Sequence, residues 1–181
     1  MATAYLQKTF GTPTNRRKWT ISAWIKRSNL GTNQPIISGS SSNNYMYFKT
    51  GSTLAIEQYS GGFQYRIEPT RVFRDINAWY HIVVAFDTTL ATANDRIKVY
   101  VNGVQETEFT NRTNPSQDFD TNWNSNSAVN QIGRESSNYW DGYMSHVAFV
   151  DGQQLAPTVF GETDSTSGIW KFKSPSGVTW G

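Results

Sequence analysis

No window of a dozen residues in this chain carries apolar side chains at the i, i+3, i+4 spacing of a helix, whereas runs with apolar residues at every second position recur along its length. That restricts the chain to sheets. Residues 18–28 (KWTISAWIKRS) set Trp19, Ile21, Ala23 and Ile25 on one face and Thr20, Ser22, Trp24 and Lys26 on the other. In residues 79–87 (WYHIVVAFD) both alternating sets are apolar, which predicts a central strand covered on both faces. Gly61-Gly62 separates two strand-like runs, 53–60 and 63–73, with Pro69 marking a bend or an edge in the second. Asn102-Gly103 separates 96–101 from 104–110, and both residues tolerate the positive φ of a type I′ turn. A last pair of runs, 139–150, surrounds Gly142. Helical turns are expected only at 88–94 and 155–160. Residues 111–130 are polar and Asn/Ser-rich, a stretch long enough to be functional or mobile.

The fold class that follows is all-β: about ten to twelve short strands in an antiparallel two-sheet β-sandwich of jelly-roll type. The 181 residues read as one domain, with roughly the last twenty as a C-terminal extension. Aromatics make up 14% of the chain, enough to build such a core from large side chains.

Composition removes whole classes of function. The formal net charge is +2, and the longest basic run is Arg16-Arg17-Lys18, too short for a nucleic-acid arm. No apolar run approaches a membrane span, and residues 1–5 (MATAY) lack the features of a secretory signal. With no cysteine there is no disulfide framework, thiolate metal site or cysteine nucleophile. Nucleic acid and membrane insertion are therefore not expected.

Several segments in order resemble the laminin-G/pentraxin branch of the concanavalin A-like lectin/glucanase superfamily: 19–26 (WTISAWIK), 78–87 (AWYHIVVAFD), 98–104 (KVYVNGV), 131–133 (QIG) and 139–144 (YWDGYM). The tail, 150–157 and 160–173, is similar to a version found in marine bacteriophage structural proteins. The resemblance implies a concanavalin A-like, laminin-G-like sandwich. It also implies a virion protein such as a head decoration, head fibre or tail-fibre module. Its partners would be other virion proteins, further copies of itself and a cell-surface glycan. The alternative is a carbohydrate-binding module of a bacterial surface or secreted protein.

No catalytic constellation emerges from the residues, and the chain is not expected to be an enzyme. The glucanase branch needs an E-x-D-x-(x)-E strand, but Glu162-Thr-Asp164 is followed by Thr166 and Ser167 in a turn-rich segment. Glu106 and Glu108 share a face of one predicted strand, and the simpler reading is a solvent face. His81, inside the central strand, reads as structural, and His146 as a partly exposed residue. Asp118, Asp120 and Asn122 set oxygen side chains at alternate positions, without the Gly and Glu that an EF-hand needs at its sixth and twelfth. They either form a solvated edge or hold a Ca²⁺ at the sandwich rim, as relatives in this branch do; no resident metal or cofactor is expected. For a glycan, an exposed aromatic ring with directional polar groups is required. Trp123 among polar neighbours, with Asn122, Asn124, Arg134 and Tyr139, supplies the candidate set, while Trp140 reads as core.

Overall fold

The computed structural model describes residues 3–39, 44–126 and 128–180. The strands are β1 (Leu6–Thr9), β2 (Lys18–Arg27), β3 (Gln34–Gly39), β4 (Asn44–Phe48), β5 (Leu54–Tyr59), β6 (Phe63–Pro69), β7 (Tyr80–Asp87) and β8 (Ile97–Val101). They continue as β9 (Val104–Gln105), β10 (Phe109–Thr113), β11 (Val129–Ile132), β12 (Arg134–Glu135), β13 (Asn138–Tyr139), β14 (Gly142–Asp151), β15 (Gly161–Thr163) and β16 (Trp170–Phe172). Seven form one antiparallel sheet in the order β1-β11-β3-β4-β5-β6-β10, and five form the other in the order β14-β2-β7-β8-β9. Two small ribbons, β12-β13 and β15-β16, complete the described strands. The expected sandwich is present, and the two predicted helical turns are single 3₁₀ turns at Ala93–Asp95 and Pro157–Val159.

The core follows the alternation. Trp19, Ile21, Ala23 and Ile25 of β2 are fully buried, facing Met46, Phe48, Ile56, Tyr65 and Ile67 of the seven-stranded sheet. Trp19 stacks on Phe86 at 4.5 Å and 8° between ring planes, which locks the two middle strands of the smaller sheet. Strand β6 stops at Pro69, which cannot donate to a ladder. Asn102 and Gly103 turn the β8–β9 hairpin with φ of 49° and 82°, both in the left-handed region as a type I′ turn requires.

The predicted second strand of that hairpin is cut short. β9 ends at Gln105, and the chain crosses to the other sheet to begin β10 at Phe109. Glu106 therefore does not line a solvent face. It is 7% exposed at the crossover and ion-paired with Arg71 at 2.6 Å.

The C-terminal segment explains why β7 is apolar on both sides. Val83 and Val150 on the outer face of the smaller sheet are covered by Phe160, with Leu155 and Val159 packed against them. The β15-β16 ribbon then lays Trp170 over His81, rings 6.0 Å apart at 18°, with the indole N–H donating to His81 Nδ1 at 2.9 Å. Trp24 stacks near His81 as well, at 4.8 Å. Trp170 fits because two glycines flank it: a Cβ on Gly103 would lie 2.5 Å from the ring, and one on Gly161 2.6 Å. Gly161→Ala is thus expected to force the ring off His81. A melting experiment should show destabilisation of about 1–3 kcal/mol, the usual range for overpacking. Hydrogen exchange should show faster exchange confined to residues 161–172. Unchanged exchange there would mean the ring tolerates the methyl.

Candidate functional site

A pocket that combines aromatic rings with convergent polar groups lies on the outer face of the seven-stranded sheet. Alternation on β4 sends Met46 and Phe48 inward and Tyr45 and Tyr47 outward. Antiparallel register then sets Ser38 of β3, Tyr45 of β4, Glu57 of β5, Arg66 of β6 and Thr113 of β10 side by side in one row. The β12-β13 ribbon is tied to β3 through the Ser38 hydroxyl, which donates to the Arg134 carbonyl at 2.6 Å. This brings Glu135 and Asn138 up as a further wall. Asn33, Pro35, Tyr45, Tyr47, Glu57, Glu135 and Asn138 line the resulting pocket of about 170 Å³.

Tyr45 and Tyr47 are both half-buried, with ring centroids 6.3 Å apart and planes at 88°, so they present two walls at a right angle. The Tyr47 hydroxyl donates to Glu57 Oε1 at 3.2 Å. Glu57 is 7% exposed, and its Oε2 is buried without a hydrogen bond. Arg66 Nε lies 3.5 Å from that oxygen, an ion contact outside hydrogen-bond geometry. Burial pushes the Glu57 pKa up, against the pull of Arg66 and Tyr47. Burial likewise pushes Tyr47 up, helped by Glu57. Tyr45 is raised by burial and then by the charges of Glu135 and Glu57, so both carboxylates bear on its hydroxyl.

Glu68, farther along the same face, behaves in the opposite way. Burial raises its pKa, but hydrogen bonds from Lys49 (3.0 Å), Asn111 (2.8 Å) and Thr53 (2.9 Å) outweigh that and leave it lowered. Glu68 is a saturated acceptor that anchors the sheet. Glu57 is a partly compensated one in a pocket wall.

The residues singled out from sequence divide into three groups. Arg134 and Tyr139 are brought together: they are register partners in the β12-β13 ribbon, and the guanidinium lies over the rings of Tyr5 (4.5 Å) and Tyr139 (5.7 Å). The pocket takes the other register pair of that ribbon, Glu135 and Asn138. Trp123 is corrected outright. Its ring is 0% exposed, packs against Trp19 at 6.0 Å and donates its indole N–H to the Tyr65 hydroxyl at 2.6 Å. A buried ring has no face to offer a sugar. Asn124 is buried too, its amide donating to the Asn15 carbonyl (3.0 Å) and Asp151 Oδ1 (2.6 Å), so it staples loops together. Asn122 accepts from Arg16 at 2.5 Å.

The three residues of the Ca²⁺ alternative are engaged by the same basic run. Arg17 pairs with Asp118 at 3.2 Å and Asp120 at 3.1 Å, and Arg16 takes the Asn122 side-chain oxygen. Guanidinium groups thus engage an oxygen of each of the three residues. Among the described residues no group of three or more His, Asp or Glu is arranged to hold a metal ion. His81 is 0% exposed, hydrogen-bonded to Ser22 of the smaller sheet and to Trp170 of the β15-β16 ribbon, in keeping with a structural role.

Polar residues clustered around a tryptophan do not mark this pocket. The available signal was the Tyr45-x-Tyr47 alternation, two aromatic side chains on the polar face of a strand.

A family model described as the concanavalin A-like lectin/glucanases superfamily matches residues 2–159. The chain belongs to this superfamily. A comparison with curated proteins gives no match. Solved structures similar in fold include a heptameric SAP-like pentraxin from Limulus polyphemus, at 20% identity and a TM-score of 0.57, covering 84% of this chain and 71% of that one. A Bacteroides ovatus protein described as carbohydrate binding aligns at 18% identity and a TM-score of 0.63, over 94% of this chain and 49% of its own. The chain thus spans about half of that protein. The CBM40 of a Ruminococcus gnavus sialidase, bound to α2,3-sialyllactose, aligns at 12% identity and a TM-score of 0.55, over 84% of this chain and 95% of its own. At these identities the likeness is one of superfamily fold. The family match ends at residue 159, so the β15-β16 ribbon that clasps His81 lies beyond it. Among the described residues no helix is long and apolar enough to cross a membrane.

Proposed function

We propose that this superfamily member is a non-enzymatic glycan-binding module, and that the Tyr45–Tyr47–Glu57 pocket is its binding site. The observation that carries this reading is the right-angled tyrosine pair ringed by Asn33, Glu57, Glu135 and Asn138. A sugar ring has an apolar face that packs on an aromatic ring and a belt of hydroxyls that needs fixed donors and acceptors. The pocket offers both. Its volume of about 170 Å³ is below that of drug-sized sites, which suits one ring of a chain.

Binding rather than hydrolysis is favoured by the state of Glu57. One oxygen holds the Tyr47 hydroxyl and the other is buried, so neither is free to face a scissile bond. A shallow single-ring site gives weak affinity, and repetition through self-association would supply strength by avidity. Glycans of this kind are met at cell surfaces or outside cells. A place on a phage particle, among other virion proteins, rests on the likeness of residues 150–157 and 160–173 and of the link 88–96; residues 160–173 here cover the sheet opposite the pocket.

A glycan array tests the reading. The wild-type chain is expected to give a defined set of hits, with the signal falling more than about tenfold in both Tyr47→Ala and Asn138→Ala. Asn138 is exposed on the ribbon, so its replacement should leave the melting temperature unchanged. Absence of hits, or hits that survive both substitutions, would place binding elsewhere or remove it.

A further inference from the structure

The pocket's charge is one-sided. Of its lining residues, Glu57 and Glu135 are acidic and none is basic. The cations that reach Glu57 are shared with Glu68. Lys49 is bonded to Glu68, and Arg66 reaches Glu68 at 3.4 Å and Glu57 only at 3.5 Å. Arg134, next to Glu135 in sequence, turns to the opposite side of the ribbon and lies over Tyr5 and Tyr139. Glu57 is more than nine-tenths buried, and one of its oxygens lacks any hydrogen bond. Such a carboxylate is stabilised by any cation that comes near it, because a low local dielectric amplifies the attraction. The rings of Tyr45 and Tyr47 form the adjoining walls, and the face of a phenol ring attracts cations.

Resting on the glycan-binding reading above, we propose that the pocket selects sugars that carry a free ammonium group over the same sugars when N-acetylated, and over sialylated glycans. An ammonium at the ring position facing Glu135 would sit against the tyrosine rings within the field of both carboxylates. N-acetylation removes that charge and adds bulk. A sialic acid carboxylate would meet two like charges. Asn33 and Asn138 supply neutral hydrogen bonds to the ring hydroxyls in each case.

The experiment is an array of glycan pairs that differ only in a free amine against an N-acetyl group, with sialyllactose included, probed with the full chain and with Glu135→Gln. Glu135 lies on the surface ribbon, where its Oε2 accepts from Asn138 at 3.0 Å, and glutamine keeps an acceptor there, so the fold should be retained. The expected result is binding of the amine form at least about tenfold over its acetylated twin, no sialyllactose signal, and loss of that preference in Glu135→Gln with an unchanged melting temperature. Equal binding of both twins, or preference for sialyllactose, overturns the amine selectivity and leaves glycan binding standing. Failure of every glycan class overturns both.

Discussion

Replacing Trp123 with alanine is expected to lower the unfolding free energy by about 4 kcal/mol, the middle of the range for truncating a buried tryptophan. For a chain of this size that is a fall in melting temperature of roughly 8–16 °C. The ring is wholly buried between Trp19 and Tyr65, so its loss leaves a cavity that the sandwich can only partly close. A second component is separable. The indole N–H is bonded to the Tyr65 hydroxyl, itself fully buried, at 2.6 Å. Trp123→Phe should therefore strand that hydroxyl at a cost of about 1–3 kcal/mol beyond the lost area. Adding Tyr65→Phe should recover part of it, so a double-mutant cycle on urea unfolding should show coupling. Independent, additive effects of the two changes would mean the hydrogen bond contributes nothing. A surface role for Trp123 would be indicated by an unchanged melting temperature together with lost glycan binding.

Mild acid should weaken the fold through His81. Burial holds its pKa down at about 4, against 6.5 for a free imidazole. Its Nδ1 accepts from Trp170, so the ring proton lies on Nε2, beside the Ser22 hydroxyl at 2.9 Å. Protonating Nδ1 would break the Trp170 bond. Between the two pKa values the unfolded chain binds a proton that the folded chain refuses. The contribution is therefore complete above 6.5 and is lost progressively as the pH falls toward about 4. Its full size is of order 3 kcal/mol, with 1.36 kcal/mol for each tenfold. Glu57, raised by burial, works the other way above the ordinary glutamate value, and the lowered Asp87 and Glu68 lose their contribution only at lower pH. Urea unfolding at about pH 7 and about pH 5 should show the loss, and His81→Phe should flatten the difference between them. The same slope in His81→Phe as in the wild type would assign the acid sensitivity to other groups.

Both predictions concern side chains whose surroundings could not be read from their neighbours in the chain. Trp123 sits among Asn122, Asn124, Ser125 and Asn126, a composition that reads as surface. It is buried because its loop folds across the sandwich and is stapled by Arg16, Arg17 and Asp151, residues remote in sequence. The two strands of the His81 clasp, β7 and β16, are likewise separated by most of the C-terminal half.

Local patterning along the chain is enough to specify the architecture. A period of two decides which side chains face the core, and it named Trp19, Ile21, Ala23 and Ile25 without error. Asn102-Gly103 decides a hairpin, because few residue pairs accept two positive φ values in succession. These are local properties, fixed by backbone sterics within a few residues. Only the tertiary structure decided the pocket. Tyr45 meets Glu57 through the register of β4 on β5, and Glu135 arrives from a ribbon docked on β3. Local alternation states which face a side chain takes but not which distant side chain stands beside it, because pairing register is set by the packing of whole sheets.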